Sequence, residues 1–577
     1  MEIFDCLFCL NCGNLSIAMQ KVLTAEEMRE VDRLTTEKYG IPSLIMMENA
    51  AHAAARVITE KLGGSVEGKS VLVLCGKGNN GGDGAALARI LWTMGASVEV
   101  YLFGKVEDTK GDARVNFEIL DKIDPEVSFW EIDEPMSLFS KNLYRDSKVV
   151  IDAIFGTGLS RQIKGELGDF VKAFAVCQEQ KDNVLLISLD IPSGLNSNLS
   201  DTIYDHFQAD LTVTFTAPKP SNVLAPAYRY NGELVVANIG SSPELIDSSP
   251  SQLYVAEKSD AQDWLRKTEF TSDSYKNKRG HALLVAGSRQ YAGAAVLCAN
   301  ACVQTGVGLV TLATPNSAYY AVAPRLAPEI MCSDFIETQA NESIKQISPL
   351  TAKADVIAIG CGLRLIESKE DSVPLVNWGN KKDSAPDTES FIRNLVKISK
   401  PLVIDAEAIN VLSPFNIKGS ETAPIVLTPH EGEFLRLLGE TDQGILADRV
   451  SAVRDFSEKH NVILVLKGER TLIGSPDGRV VVNPTGNSGL GKGGNGDTLT
   501  GIIAGFIAQT ISEKNYINPT FIAPTKIDLI FEAVVAAVYI GGLAGDIAER
   551  RFGKRIMNAS DVRDCLKEAI ASLKVEG

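Results

Sequence analysis

Apolar positions along the chain fall into two kinds of pattern. From Thr24 they return at helical spacing. "TAEE" places Thr24 and Glu27 as a capping box at the start of a first helix. A second helix follows Pro42 in "SLIMMENAAHAAARVITEKLG", with Gly63 as its stop. Short continuous apolar runs come next: "SVLVLC", "SVEVYLF", "KVVIDAI", "VLLISLD" and "LTVTFT", most of them separated by helical stretches. Apolar runs of this length alternating with helices predict a parallel sheet buried on both faces.

The pattern breaks at "NIGSSPELIDSSPSQ", a Ser- and Pro-rich stretch that predicts a linker. A second α/β series follows in "HALLVAGS", "ADVIAIGCG", "PLVIDAEAIN", "APIVLTPHEGEF" and "VILVLKGERTLIGS", and the chain closes on two helical stretches. The expected organisation is an N-terminal extension over 1–23, disordered, then an α/β domain over 24–240, a linker over 241–253 and a second α/β domain over 254–577. Each strand ends in a polar or glycine loop, and in open parallel sheets the loops at the carboxyl ends make the ligand site.

Composition narrows the function classes. At 577 residues the chain exceeds one ordinary core, and 45% hydrophobic with 23% charged residues is globular. A net charge of −16 argues against a nucleic-acid or anionic-membrane footprint but not against a small anion held by backbone amides. No apolar run reaches the roughly 20 residues of a membrane span. The ten cysteines are mostly scattered, as in a reduced, cytoplasmic protein. Cys6, Cys9 and Cys12 are spaced like the start of an iron–sulfur run, but no fourth Cys follows. Met19 is an alternative start, and Glu2 and Asp5 argue against a signal peptide.

The first chemistry-bearing loop is "LCGKGNNGGDGAALARILW". Gly76, Gly78 and Gly81 fit the dinucleotide fingerprint literally, and Glu99 stands where a ribose-binding acid would. Asp83 is awkward there, because it repels a pyrophosphate unless a cation intervenes. Two further strand ends carry Asp152, before Gly156-Thr157-Gly158, and Asp190, before Pro192-Ser193-Gly194. Each could simply cap a turn; three such loops at one sheet edge argue for a site. Together "GNNGGDG", "DAIFGTGLSR" and "DIPSG" resemble the NAD(P)HX epimerases of the YjeF N-terminal type, over about residues 24–240. That family interconverts the C6 epimers of a nicotinamide cofactor hydrated on its ring. The resemblance implies a Rossmann-like three-layer domain. It implies that Asn79, Asn80, Gly81, Gly82 and Asp83, with Gly156, Thr157, Gly158, Leu159, Ser160, Arg161 and Gln162, hold the substrate. Asp190 would transfer the proton, and K⁺ would sit with Asn80, Asp152 and Ser193.

The strongest signal is "NPTGNSGLGKGGNGDTLTGIIAG". A glycine loop opens onto a helix whose Leu499, Ile502, Ile503, Phe506 and Ile507 recur at helical spacing. Free amides and the dipole at such an end stabilise developing negative charge. Asp497 at the helix start is either a simple cap or a catalytic base. Lys492 is followed by Gly493, so the loop is not a Walker loop. "GGNGD" resembles the anion hole of ribokinase-like kinases. With "AGSRQYAGAA", "TPHEGEF" and "VLKGERTLI" it is similar to the ADP/ATP-dependent NAD(P)HX dehydratases, over about residues 254–577. The resemblance implies a ribokinase-like α/β/α domain. Lys467, Gly468, Glu469, Arg470, Thr471 and Gly496 would bind the adenine nucleotide; Ala294, Gly362, His430 and Asp497 would contact the hydrate. The family usually carries Asn where Thr428 precedes "PHEGE".

The reading is therefore a bifunctional repair enzyme. By the resemblance the hydrate's C6 hydroxyl would be phosphorylated, with Asp497 as base and Mg²⁺ at the transferring group, and phosphate would then leave as the ring double bond returns. ADP is favoured over ATP as donor by the fused, bacterial-type arrangement. A homo-oligomer is expected, with no nucleic-acid or membrane partner. The rivals are a ribokinase-like vitamin kinase behind a non-catalytic front domain, a scaffold related to an mRNA-decapping adaptor, and a plain dehydrogenase using intact NAD.

Overall fold

The computed structural model describes residues 19–140, 147–159, 161–178, 184–202, 204–337, 340–364, 386–512 and 525–574. Cys6, Cys9, Cys12 and Ser160 lie outside the described residues. The chain divides into two compact units, Lys21–Val255 and the rest of the described chain, which is Ala256 onward together with residues 19–20.

In the first unit the helix Ala25–Tyr39 begins at the Thr24/Glu27 capping box and ends on Gly40 in the left-handed conformation. The helix Ser43–Lys61 stops one residue before the expected glycine, on Leu62. Numbering strands in chain order, Gln20–Lys21 is β1. The sheet of the first unit is built from β2 (Ser70–Cys75), β3 (Ser97–Phe103), β4 (Ser128–Ile132), β5 (Val149–Ala153), β6 (Leu185–Leu189), β7 (Leu211–Phe215) and β8 (Glu233–Ala237). Its order is β4-β3-β2-β5-β6-β7-β8, every pair parallel. The chain thus runs outward in one direction from β2 and in the other from β5. A crevice opens between the carboxyl ends of two strands where the winding reverses in this way. Hydrophobic clusters cover both faces, which is why the strands read as continuous apolar runs rather than as alternation. The patterns of β4 and β8 are short and half exposed and give no such signal.

Two stretches are more ordered than their composition suggests. Residues 241–253, expected as a linker, carry the helix Pro243–Asp247 capped by Ser242, and β9 (Leu253–Val255) follows. Lys21–Leu23, expected within a disordered extension, is pinned beside them. Val22 N donates to Leu253 O at 2.9 Å, and Lys21 Nζ reaches Asp247 O and Ser249 O. Leu23, Met28, Val31, Ala217 and Leu245 form one small core there, so two apolar residues, Leu23 and Leu245, hold what serine and proline made look unstructured.

The second unit contributes β10 (His281–Val285), β11 (Leu309–Pro315), β12 (Met331–Phe335), β13 (Val356–Ile359), β14 (Leu402–Ile404), β15 (Ile425–Leu427), β16 (Ile463–Leu466), β17 (Leu472–Gly474) and β18 (Val480–Val482). These run β18-β17-β16-β15-β14-β13-β10-β11-β12, with β10 to β16 parallel and β17 and β18 antiparallel. "VILVLKGERTLIGS", which reads as one strand with its loop, is two antiparallel strands. Five residues, Lys467–Thr471, join them, too few for the crossover a parallel pair needs. The winding reverses between β10 and β13. The helix Lys526–Phe552 is long and apolar enough to cross a membrane by length and composition alone, a feature that counting uninterrupted apolar residues passes over. Its most apolar window is 67% buried inside the protein, and it packs between the helices Asn495–Ile511 and Ala559–Ser572.

Candidate functional sites

At the end of β2 the chain turns through Gly76–Gly78 into the helix Asn79–Thr93. A Cβ on Gly76 would lie 2.0 Å from Ile154 O, and one on Gly81 would lie 1.8 Å from Gly76 O. Gly76 and Gly81 are therefore accounted for by close packing of turn, helix and sheet, whereas a Cβ on Gly78 would meet open space. Asn80, in the first turn of this helix, keeps both polar atoms of its amide buried with no protein partner.

Asp152, on β5, is fully buried. Its Oδ2 accepts from Ser193 N at 2.8 Å and Ser188 Oγ at 2.9 Å; its Oδ1 accepts from Ser193 Oγ at 2.5 Å and Ile154 N at 3.3 Å. Burial pushes this carboxyl up to about 6, against the pull of those hydrogen bonds. It is therefore more than a turn cap: one carboxylate ties the loop after β5 to the loop after β6.

Asp190, directly after β6, holds the left-handed backbone conformation with φ 65°, uncommon for a residue with a side chain. Its Oδ1 accepts from Lys219 Nζ at 2.7 Å and Thr214 Oγ1 at 3.1 Å, and its Oδ2 accepts from Thr157 N at 3.0 Å. Gly156 has no room for a side chain, because a Cβ there would stand 2.6 Å from Asp190 Oδ2. Gly156→Ala should therefore displace the carboxylate and lower the melting temperature, by about 1–3 kcal/mol of lost stability as for an added methyl in a packed site. A melting temperature within error of wild type would contradict this. In the same loop Leu159 N donates to Gly156 O, Gly158 faces open space, and Arg161 and Gln162 are exposed.

Two residues of this site escape sequence reading. Burial pushes the Asp32 carboxyl to about 6, opposed by Lys219 and reinforced by Asp190, and its Oδ1 is buried without a partner. Burial, then the charges of Asp190 and Asp32, holds Asp83 well above the usual carboxylate range. A signal for Asp32 exists: it lies on the stripe formed by the buried Met28, Val31 and Thr35 of its helix, where an acid needs a reason. Lys219, between two prolines, gives none.

In the second unit Gly362, left-handed with φ 62°, follows β13. A Cβ there would lie 2.8 Å from both Ala294 Cβ and Tyr291 O, so these expected substrate contacts meet where the winding reverses. Asp405, following β14, accepts from Lys467 Nζ at 2.9 Å and Thr500 Oγ1 at 2.8 Å. Burial would raise Asp405, but the Lys467 charge together with the hydrogen bonds of Lys467, Thr500 and Thr428 holds the carboxyl low. Burial likewise opposes the charge on Lys467, and Asp405 and Glu433 overcome it, so the ammonium is retained. Asp497 is pushed up to about 6 by burial and then by the charge of Asp405, with Cys361 and Lys467 opposing. Cys361, Asp405 and Asp497 bring ligand-type atoms within 4.8 Å of one another.

The helix Asn495–Ile511 is capped by Gly494, left-handed with φ 95°, and not by Asp497, which sits in the first turn facing the Asp405–Lys467 pair. Gly496 adjoins that pair, its Cβ position 3.4 Å from Lys467 Nζ. Gly468 lies beside Arg449, whose Nη1 donates to Glu469 O at 3.0 Å; Arg470 is left-handed, and Thr471 Oγ1 donates to Gly468 O. His430 caps the helix Glu431–Leu438, its Nδ1 accepting from Gly432 N and Glu433 N. That nitrogen must be unprotonated, and burial lowers the pKa of the ring in the same sense. A neutral ring of this tautomer carries its proton on Nε2, 3.6 Å from Glu433 Oε1 and too far to be spent on it. Thr428 is buried; its Oγ1 lies 3.3 Å from Ile404 O as a donor, and the same hydroxyl helps hold the Asp405 carboxyl low. Asp405 and Cys361 were not singled out from sequence, although Asp405 repeats the strand-end carboxylate pattern of Asp152 and Asp190.

Comparison with known proteins assigns both units. The family model described as "YjeF-related protein N-terminus" matches residues 43–221, and that described as "NAD(P)H-hydrate dehydratase" matches residues 282–568. The bifunctional NAD(P)H-hydrate repair enzyme Nnr of Moorella thermoacetica is 34% identical over 562 residues, covering 96% of this chain and 97% of its own. That of Thermofilum pendens is 33% identical over 566 residues with the same coverage. Among solved structures, the ADP/ATP-dependent NAD(P)H-hydrate dehydratase of Bacillus subtilis, co-crystallised with ATP and Mg²⁺, is 24% identical. It covers 56% of this chain and 98% of its own at a TM-score of 0.43. The matches run through both halves in one order and do not favour the vitamin-kinase reading. The chain belongs to the bifunctional NAD(P)H-hydrate repair enzymes, an epimerase of the hydrated cofactor fused to a dehydratase of the same hydrate.

Proposed function

We propose that Asp190 and Asp497 are the reacting carboxylates of the two activities, and that an adenine nucleotide, ADP in preference to ATP, drives the second. The observation that carries the reading is the placement of Asp497. It is free of capping duty, at the mouth of a glycine loop on a helix N-terminus, and a buried ion pair stands behind it.

In the first unit the substrate lies across the loops after β2 and β5, between Asn79–Asp83 and Gly156–Gln162. Its C6 carries both a hydroxyl and the ring nitrogen. Epimer exchange there proceeds by opening the C–N bond or by loss of water, and either route moves a proton at the oxygen. Asp190 Oδ2 is the oxygen turned to the Gly156–Thr157 loop and takes that role. The donor set near Asp152 fits a potassium ion: hard oxygens, among them the partnerless Asn80 Oδ1, with Asp152 and Ser193. The ion would fix the loops and offset buried negative charge. Asp152→Ala should weaken the response of epimerisation to potassium, with partial recovery at high potassium. A wild-type enzyme indifferent to potassium removes the ion from the reading.

In the second unit Lys467–Thr471 and Gly496 hold the nucleotide, and Ala294, Gly362 and His430 hold the hydrate. Asp497 takes the C6 hydroxyl proton as that oxygen attacks the terminal phosphorus. The ring nitrogen's lone pair then expels phosphate from C6, and loss of the C5 proton restores the C5–C6 double bond. With ADP the other product is AMP. Cys361, Asp405 and Asp497 do not suit a resident Mg²⁺, because a thiol is a soft ligand and Asp405 is already engaged by Lys467 and Thr500. Mg²⁺ would instead arrive with the nucleotide and would offset the charge of the transferring group.

The test is incubation with mixed NADHX epimers, with and without ADP or ATP, following NADH absorbance. Complete recovery with nucleotide and none without supports both roles. Recovery that stops at one epimer removes the epimerase from the reading, and nucleotide-independent recovery removes the phosphorylation step.

A further inference from the structure

The first site contains three carboxyl groups, Asp32, Asp83 and Asp190, that interact electrostatically with one another and with a single ammonium, that of Lys219. Lys219 is almost wholly enclosed, its side chain 2% exposed. Each of its three N–H donors has an acceptor: Asp190 Oδ1 at 2.7 Å, Thr214 Oγ1 at 2.8 Å and Phe215 O at 3.0 Å. The Thr214 hydroxyl turns its own proton to the same Asp190 Oδ1, at 3.1 Å. Lys219 is itself fixed, its N–H donating to Asn222 Oδ1 at 2.8 Å, and the Asn222 amide reaches Asp190 O and Asn231 Oδ1. A long, flexible side chain held at both ends with no donor to spare is not placed to touch substrate.

We propose that Lys219 is a positioning residue for epimerisation: by saturating Oδ1 of Asp190 it fixes the carboxyl group of this left-handed residue with Oδ2 facing the Gly156–Thr157 loop. Without the ammonium the Asp190 carboxyl loses the contact that selects which oxygen reacts, and keeps on Oδ1 the hydrogen bond of the Thr214 hydroxyl. Lys219 thus acts through Asp190, and the inference rests on the role proposed for that residue.

The experiment uses the full-length enzyme. Epimer exchange is measured without nucleotide, hydrate binding by equilibrium titration, and dehydration of the usable epimer as control. Asp190→Asn is assayed first: exchange at the wild-type rate would overturn the role of Asp190 itself. If Asp190→Asn is inactive, Lys219→Met is expected to lower kcat for exchange by about a hundredfold, the lower range for loss of a general base. Hydrate affinity should stay within about threefold, far short of that loss. Lys219→Gln, which keeps a donor for Oδ1, is read beside it and should recover part of the lost kcat. Near-wild-type kcat in Lys219→Met, a kcat in Lys219→Gln as low as in Lys219→Met, or a loss of hydrate affinity as large as the loss of rate would each overturn the inference. Failure of both variants to fold where Asp190→Asn folds would do so too, since Lys219 would then be holding the domain rather than the carboxylate.

Discussion

Asp497→Asn is expected to lower dehydration by about 10²–10⁴, the cost of losing a general base, while epimer exchange in the other unit stays at the wild-type rate. The substitution preserves size and hydrogen bonding and removes only proton affinity. Gly494, the helix cap, is untouched, and so are the loop amides and the Lys467–Asp405 pair, so nucleotide affinity should change little. The measurement is NADH recovery from the usable epimer at saturating nucleotide. Dehydration within about threefold of wild type, against that typical loss, would reduce Asp497 to a first-turn acid favoured by the helix dipole.

The same residue sets a pH dependence of rate and of stability, in opposite senses. With its carboxyl near 6, Asp497 is a competent base above that pH and loses function as pH falls through it. For stability the folded value lies above the ordinary 3.8, so the fold favours the protonated form. The cost of ionising Asp497 in place is absent below about 3.8, grows as pH rises through 6 and is complete above it, on the order of 3 kcal/mol. Asp497→Asn should therefore raise the melting temperature at pH 8 and leave it nearly unchanged at pH 4.

Most residues of the candidate site were legible as candidates because they sit at ends of apolar runs. The strand limits of "SVLVLC" and "SVEVYLF" coincide with β2 and β3, so the polar residues after such runs could be assigned to one sheet edge before any coordinates. The supporting residues were not legible for a different reason. Lys219, Asp32 and Asp405 meet Asp190 and Asp497 only through the fold, and nothing in "APKPSN" distinguishes a buried lysine from a surface one. The glycine fingerprint misleads in the other direction, since Gly76 and Gly81 are required by backbone contacts at 2.0 and 1.8 Å that would arise whether or not a phosphate ever bound there. The folding of residues 241–253 was hidden by serine and proline, which outweighed the buried Leu245 and Leu253 in a reading by composition.

Asp190→Asn should stop enzymatic epimer exchange, by about 10²–10⁴ in rate, and leave dehydration of the usable epimer intact. Asn has the shape to occupy the left-handed conformation and to keep a contact with Thr157 N, so the loss reports proton affinity rather than a collapsed loop. One charge of the buried Lys219–Asp190 pair remains after the change, at 2% exposure. An unpaired buried ammonium is costly, so a fall in melting temperature is expected beside the loss of exchange, without loss of the second unit's activity. In a mixture of epimers with excess nucleotide the variant should convert the usable epimer at the wild-type initial rate. It should then halt, with the remainder converted only as fast as the epimers interchange in solution. Adding the wild-type protein without further nucleotide should restart the reaction and carry it to completion, because the halt is a shortage of one stereoisomer and not of phosphoryl donor. A progress curve for the variant that runs to completion at the wild-type rate would remove Asp190 from the proton transfer and leave it a loop anchor.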